Sequence, residues 1–80
     1  MRGIVLAATP AAVVAQLENG EFALIELLGG YDVERGDILE GNLADEGSHE
    51  ITNLTQLEDE MSIVVQRICR SFNDALSRLW

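Results

Sequence analysis

Val13-Val14-Ala15-Gln16-Leu17-Glu18-Asn19-Gly20-Glu21-Phe22-Ala23-Leu24-Ile25-Glu26-Leu27-Leu28 is the stretch that decides the fold. Two apolar runs flank Asn19-Gly20, and Asn-Gly between such runs is a strong hairpin signal because both turn positions tolerate positive φ. The spacing predicts antiparallel strands near 12–18 and 22–28. Upstream, the apolar run Gly3 to Ala8 ends at Thr9-Pro10, a pair that favours extended backbone followed by a turn, so a strand is expected near 3–8. Downstream, Gly29-Gly30 breaks the ladder and Tyr31 to Asp37 reads as a connecting loop. Further strands are expected near 37–43 and 49–55, on either side of the acidic turn 44–48. Val5, Val14, Leu24, Ile25, Leu27, Ile38 and Ile51 are the expected interior. Leu24 and Ile25 cannot both point inward on a regular strand, so one of them should meet the tail.

The last third admits two readings. Met61, Val65, Ile68, Phe72, Ala75 and Leu79 recur at helical spacing, with Glu58-Asp59-Glu60 where the positive end of one long helix over 61–79 would lie. Against that, Ile63-Val64-Val65 is a β-branched run, and Ser71-x-x-Asp74 offers a fresh helix start. The favoured expectation is a strand at about 61–69 followed by a short helix from Phe72 to Leu79.

Taken in order, Met1-Arg2-Gly3-Ile4-Val5, the Val13 to Leu17 segment, the Gly20 to Leu27 return, Glu34-Arg35-Gly36-Asp37-Ile38-Leu39 and Gly47 to Thr55 resemble the plan of cold-shock-like OB barrels. The resemblance covers residues 1 to about 55. It implies an all-β protein: a small five-stranded OB-like barrel over 1–57, with a C-terminal extension, 58–80, of an added strand and a short helix. In such barrels aromatic side chains on the first three strands stack nucleic-acid bases. The corresponding places here read as Ala7, Val13, Ala15, Leu24 and Glu26, so that function does not carry over with the fold. Each lost stack is worth about 1–3 kcal/mol. Phe22 reads as a core residue and not as a surviving platform.

Composition bounds the function from another side. The chain has 80 residues, 48% of them hydrophobic, and a net charge of −9. That hydrophobic fraction is globular, but so short a chain buries a modest share of its surface. Residues 1–60 carry thirteen acids against Arg2 and Arg35, whereas 61–80 carry only Asp74 against Arg67, Arg70 and Arg78, and lysine is absent. An acidic body repels phosphate, which weighs against nucleic acid as a partner. The apolar lead is interrupted at Pro10 and no run approaches about 18 apolar residues, so neither a signal peptide nor a membrane span is expected. The lone Cys69 suits a reducing, cytoplasmic setting.

No catalytic, cofactor-binding or metal-binding residue is assigned. His49 is the only histidine, and adjacent strand residues point to opposite faces, so Ser48 cannot address it. Asp45, Glu46 and Glu50 lack the donor pattern of a calcium loop, and Glu58-Asp59-Glu60 reads as a solvated turn. Cys69 has Arg67 and Arg70 nearby, which can lower a thiol pKa, but a single cysteine without a base reads as buried filler. Gly29-Gly30 and Gly36 form no phosphate-cradling loop.

What remains is the tail. Phe72, Leu76, Leu79 and Trp80 form an apolar stripe on a helix too short to be stable alone, so they are expected to bury against the barrel, a second copy or a partner. The function expected is a non-catalytic protein-interaction module, acting with a protein partner or as a homodimer. The alternative is a diverged single-stranded nucleic-acid binder.

Overall fold

The computed structural model describes residues 1–79. They form β1 (Arg2–Ala8), β2 (Ala12–Leu17), β3 (Phe22–Leu27), β4 (Ile38–Glu40), β5 (Gly47–Asn53), β6 (Glu58–Cys69) and α1 (Phe72–Ser77). The strands close into one barrel in the order β1-β2-β3-β6-β5-β4, every pair antiparallel.

The deciding hairpin forms where its apolar runs place it, but its turn is not the two-residue type that Asn-Gly suggests. Gly20 alone in the turn takes positive φ, at 88°. Leu17 N donates to Glu21 O at 2.8 Å and Gly20 N to Leu17 O at 2.9 Å, which makes residues 18–20 a three-residue connection. Asn19 contributes through its side chain: its Oδ1 accepts from Glu21 N at 3.0 Å.

The barrel has six strands where five were expected. β6 was read as an addition to a closed barrel, yet it pairs with β3 on one side and β5 on the other, so it is part of the wall. Met61, Ile63 and Val65 alternate into the interior as a strand requires. Leu24 then faces Arg67 and Ile25 faces Val65, which leaves Gln66 as an extra residue. That bulge shifts the alternation, so Ile68 turns toward the interior and Cys69 toward the outside. The step of three from Val65 to Ile68, which imitates a helical repeat, is the mark of the bulge. The long-helix reading fails for the same reason. α1 begins afresh at Ser71, whose extended backbone and side-chain oxygen, accepting from Asp74 N at 3.1 Å, cap it.

Two clusters of buried residues result. The interior holds Val5, Ile25, Leu27 and Ile51 as expected, joined by Leu39, Leu43 and the β6 residues. Val14 and Leu24 lie instead in a second cluster, with Cys69 and Ala75, between the outer wall and α1. Leu24 is thus the member of the Leu24-Ile25 pair that meets the tail. Ile38, also expected inside, is only half-buried. β4 pairs Gly3 with Leu39, so Leu39 shares the inward phase and Ile38 takes the outward one. Gly41 lets β4 end sharply against β5: its φ is +151°, and a Cβ there would sit 2.6 Å from Ile51 Cγ2.

These placements separate two neighbouring-looking isoleucines. Ile25→Ala should cost about 2–5 kcal/mol, because Ile25 is fully buried. Ile38→Ala should cost about 1 kcal/mol or less. Urea unfolding of both variants checks this; equal losses would contradict the assigned register.

Candidate protein-interaction surface

The tail stripe is built on the second cluster. Ser71 caps α1 so that Ala75 is buried against β2 and β3, over Val14 and Leu24. Phe72 lies with its ring centroid 6.0 Å from that of Phe22, the planes at 48°. Phe72 and Leu79 are half-buried against this cluster, whereas Leu76 is half-buried outside it. Trp80, the fourth expected residue, lies outside the described residues.

α1 therefore occupies the outer face of β2 and β3, with Ala7 of β1 at its edge. Of the five positions compared with base-stacking residues, Leu24 is beneath the helix, Ala7 packs at the edge of the same cluster, and Val13 and Ala15 point into the barrel. Glu26 stays on the outer surface, where its carboxylate accepts from Gln66 Nε2.

Cys69 is buried under α1. Burial, with Asp74 beside it, pushes its thiol above the ordinary value despite Arg78 and Arg67. Of the two arginines that suggested a lowered pKa in the sequence, Arg67 acts on the thiol and is outweighed. His49 Nε2 lies 2.9 Å from the Asp45 carbonyl oxygen, within the turn that precedes β5. Among the described residues, no three His, Cys, Asp or Glu side chains are grouped to hold a metal ion. No helix there is long and apolar enough to cross a membrane.

A second surface was not visible in the sequence. The segment between β3 and β4 crosses one end of the barrel, where Val33 is buried as a plug. Tyr31 Oη accepts from Ser62 N at 3.0 Å, tying the start of the crossing to β6. Its far end is fixed by Asp37, which is 4% exposed. Asp37 Oδ2 accepts from Asn53 Nδ2 at 2.9 Å, from Glu34 N at 2.9 Å and from Gln56 Nε2 at 3.2 Å. Asn53 Oδ1 in turn accepts from Thr55 N and Gln56 N, each at 3.0 Å. Between the crossing and the β1–β2 corner lies an open groove of about 970 Å³, bounded by residues 6–10 and 30–35.

No family model, curated protein or solved structure matches this chain.

The Asp37 network sets a pH dependence. Burial raises the carboxyl pKa, but the hydrogen bonds from Asn53, Glu34 and Gln56 together hold it below its ordinary value of 3.8. The fold thus favours the ionised form. Its contribution to stability is complete above the unfolded-state value and is lost as pH falls through the folded-state value. Asp37→Asn should therefore destabilise by about 1–3 kcal/mol at pH 7, with the gap to the parent narrowing as pH falls below the unfolded-state value of about 3.9. Thermal unfolding across pH 3–7 measures this; a constant gap would exclude the ionised network.

Proposed function

We propose that this chain is a non-catalytic protein-interaction module that associates through the surface around α1, most directly with a second copy of itself. The observation that carries this reading is the incomplete burial of the helix stripe: Ala75 is covered, whereas Phe72, Leu76 and Leu79 are only half-covered by their own barrel. A six-residue helix has no autonomous stability, so it depends on its docking surface. Its free edge offers aliphatic side chains to whatever approaches.

Charge supports a second copy as the occupant. Arg67, Arg70 and Arg78 give residues 61–80 a net positive charge, while residues 1–60 taken together are strongly acidic. The tail of one copy and the body of another attract, and the acidic bodies repel, so association should be weak and salt-sensitive. The fold leaves room for a diverged OB-type nucleic-acid binder, but α1 over the β2–β3 face and the acidic body count against that role.

Static light scattering on the 8.8 kDa chain tests the reading. The apparent mass should rise with concentration, and Leu76→Glu should suppress the rise while changing stability by less than about 1 kcal/mol. Phe72→Ala should instead lower stability, because its ring rests on Phe22. A chain that stays monomeric at all concentrations and salts would refute self-association. Micromolar, salt-sensitive binding of a labelled single-stranded oligonucleotide would replace the proposal by the nucleic-acid reading.

A further inference from the structure

The groove opposite the barrel crossing has an unused hydrogen-bonding edge along one wall. β4 pairs only with Arg2, Gly3 and Ile4 of β1. One step further, Val5 N donates to Asp37 O at 2.9 Å and Gly36 N donates to Val5 O at 2.8 Å. Beyond Val5 the crossing segment leaves β1, and the groove opens between them.

Two bonds fix the direction of the backbone groups there. Thr9 N donates to Ala12 O at 2.8 Å, so Thr9 is turned toward β2, and the alternation of an antiparallel ladder turns the amide and carbonyl of Ala8 away from β2. From the other side, Leu27 N donates to Ala11 O at 2.8 Å, which commits Val13, the residue facing Ala8, to β3. Ala8 thus presents one donor and one acceptor to the groove, and neither has a backbone or side-chain partner among the described residues. Buried or half-buried backbone groups of this kind are satisfied in nearly all proteins by a strand, a side chain or water.

We propose that this groove is a strand-addition site, taking a short extended segment of a partner protein that carries basic side chains. The segment lies along residues 6–9 of β1, exchanges its backbone bonds with Ala8, and extends over about three to four residues before Pro10 ends the edge. Its apolar side chains meet Leu6 and the Tyr31–Val33 wall. The charge of the lining selects the rest. Asp32 and Glu34 outnumber Arg35 in the lining, and neither Asp32 nor Arg35 forms an ion pair among the described residues. A lysine or arginine of the incoming segment pairs with Asp32, and an acidic segment is repelled. This site adjoins the α1 cluster only at Ala7 and stands or falls without the association proposed for α1.

The test uses the full-length chain, ¹⁵N-labelled, and an acetylated, amidated five-residue peptide of alternating lysine and valine. Two controls accompany it: the same peptide with alternate backbone nitrogens methylated, and a glutamate–valine counterpart. The lysine peptide should shift the amides of residues 6–9 and 30–35 and slow hydrogen exchange at Ala8. Methylation leaves charge and side chains in place but blocks backbone pairing, and should weaken binding about tenfold. Asp32→Asn should weaken it about threefold. Equal affinity of the methylated and unmethylated peptides would overturn the proposal. So would shifts confined to the acidic start of β6, residues 58–60, or to α1, no shifts at millimolar peptide, or shifts at residues 6–9 on concentrating the protein alone, which would assign the edge to a second copy.

Discussion

The hydrogen bond from Asn53 Nδ2 to Asp37 Oδ2, 2.9 Å long and shielded from solvent, is the contact on which the rest of the barrel depends. β3 and β4 are adjacent in sequence but not in the sheet, so the chain must cross one end of the barrel to begin its second half. A crossing of this kind loses backbone entropy without gaining ladder bonds on the way. Asp37 compensates at its landing point, because one carboxylate collects donors from the crossing, from the end of β5 and from the turn beyond it. The main-chain oxygen of the same residue accepts from Val5 of β1. An ionised group is strong enough for this only because every donor around it is already placed, and an unsatisfied carboxylate at the same depth would cost more than it returned.

Once the crossing is held, three irregularities decide which side chains face which way. The bulges in β1 at Leu6 and in β6 at Gln66 each reverse the alternation part-way along a strand. Their joint effect is to turn Ala7 and Cys69 outward at the same end of the wall, beside Val14 and Leu24. Without the reversals the outer wall there would carry different residues beside Val14 and Leu24. The third irregularity is the shortness of β4, which covers only part of β1. The free edge at Ala8 is therefore a consequence of how the barrel closes, and the same bulge at Leu6 that prepares the helix bed lies next to it.

How much of this the amino acids disclose depends on the range of the interaction. The β2–β3 hairpin was legible because its signals, two apolar runs and a turn pair, lie within a few residues of one another. The cap of α1 was legible for the same reason, since Ser71 and Asp74 are three apart. The strand at about 61–69 was legible too, but not its place in the barrel wall, which is defined by what lies opposite it, β3 on one side and β5 on the other. Val14 and Ile38 were assigned to the interior for a related reason: in Val13-Val14 and Ile38-Leu39 both neighbours are apolar, and only pairing decides which one points in. Asp37 and Asn53 are sixteen residues apart, and nothing local marks either as buried. The groove could not be read at all, because it arises from a pairing that stops. Of the C-terminal tail, the stripe of Phe72, Leu76 and Leu79 was visible as a pattern, but its division into covered and open halves belongs to the folded molecule.

A free strand edge is a hazard for any β protein, since it can recruit another chain without discrimination. The position of Ala8 limits that hazard without removing the edge. Pro10 lacks an amide and bounds the edge on one side, while the Gly36–Asp37 bonds to Val5 bound it on the other. What remains is too short to nucleate an open-ended sheet but long enough to accept a short strand. The acidic surface narrows the choice further, because two copies approaching edge to edge bring Asp32 and Glu34 of each together. The same charge that disfavours this contact between copies favours the approach of the arginine-bearing tail, so one charge distribution separates the two surfaces by the sign of what each admits.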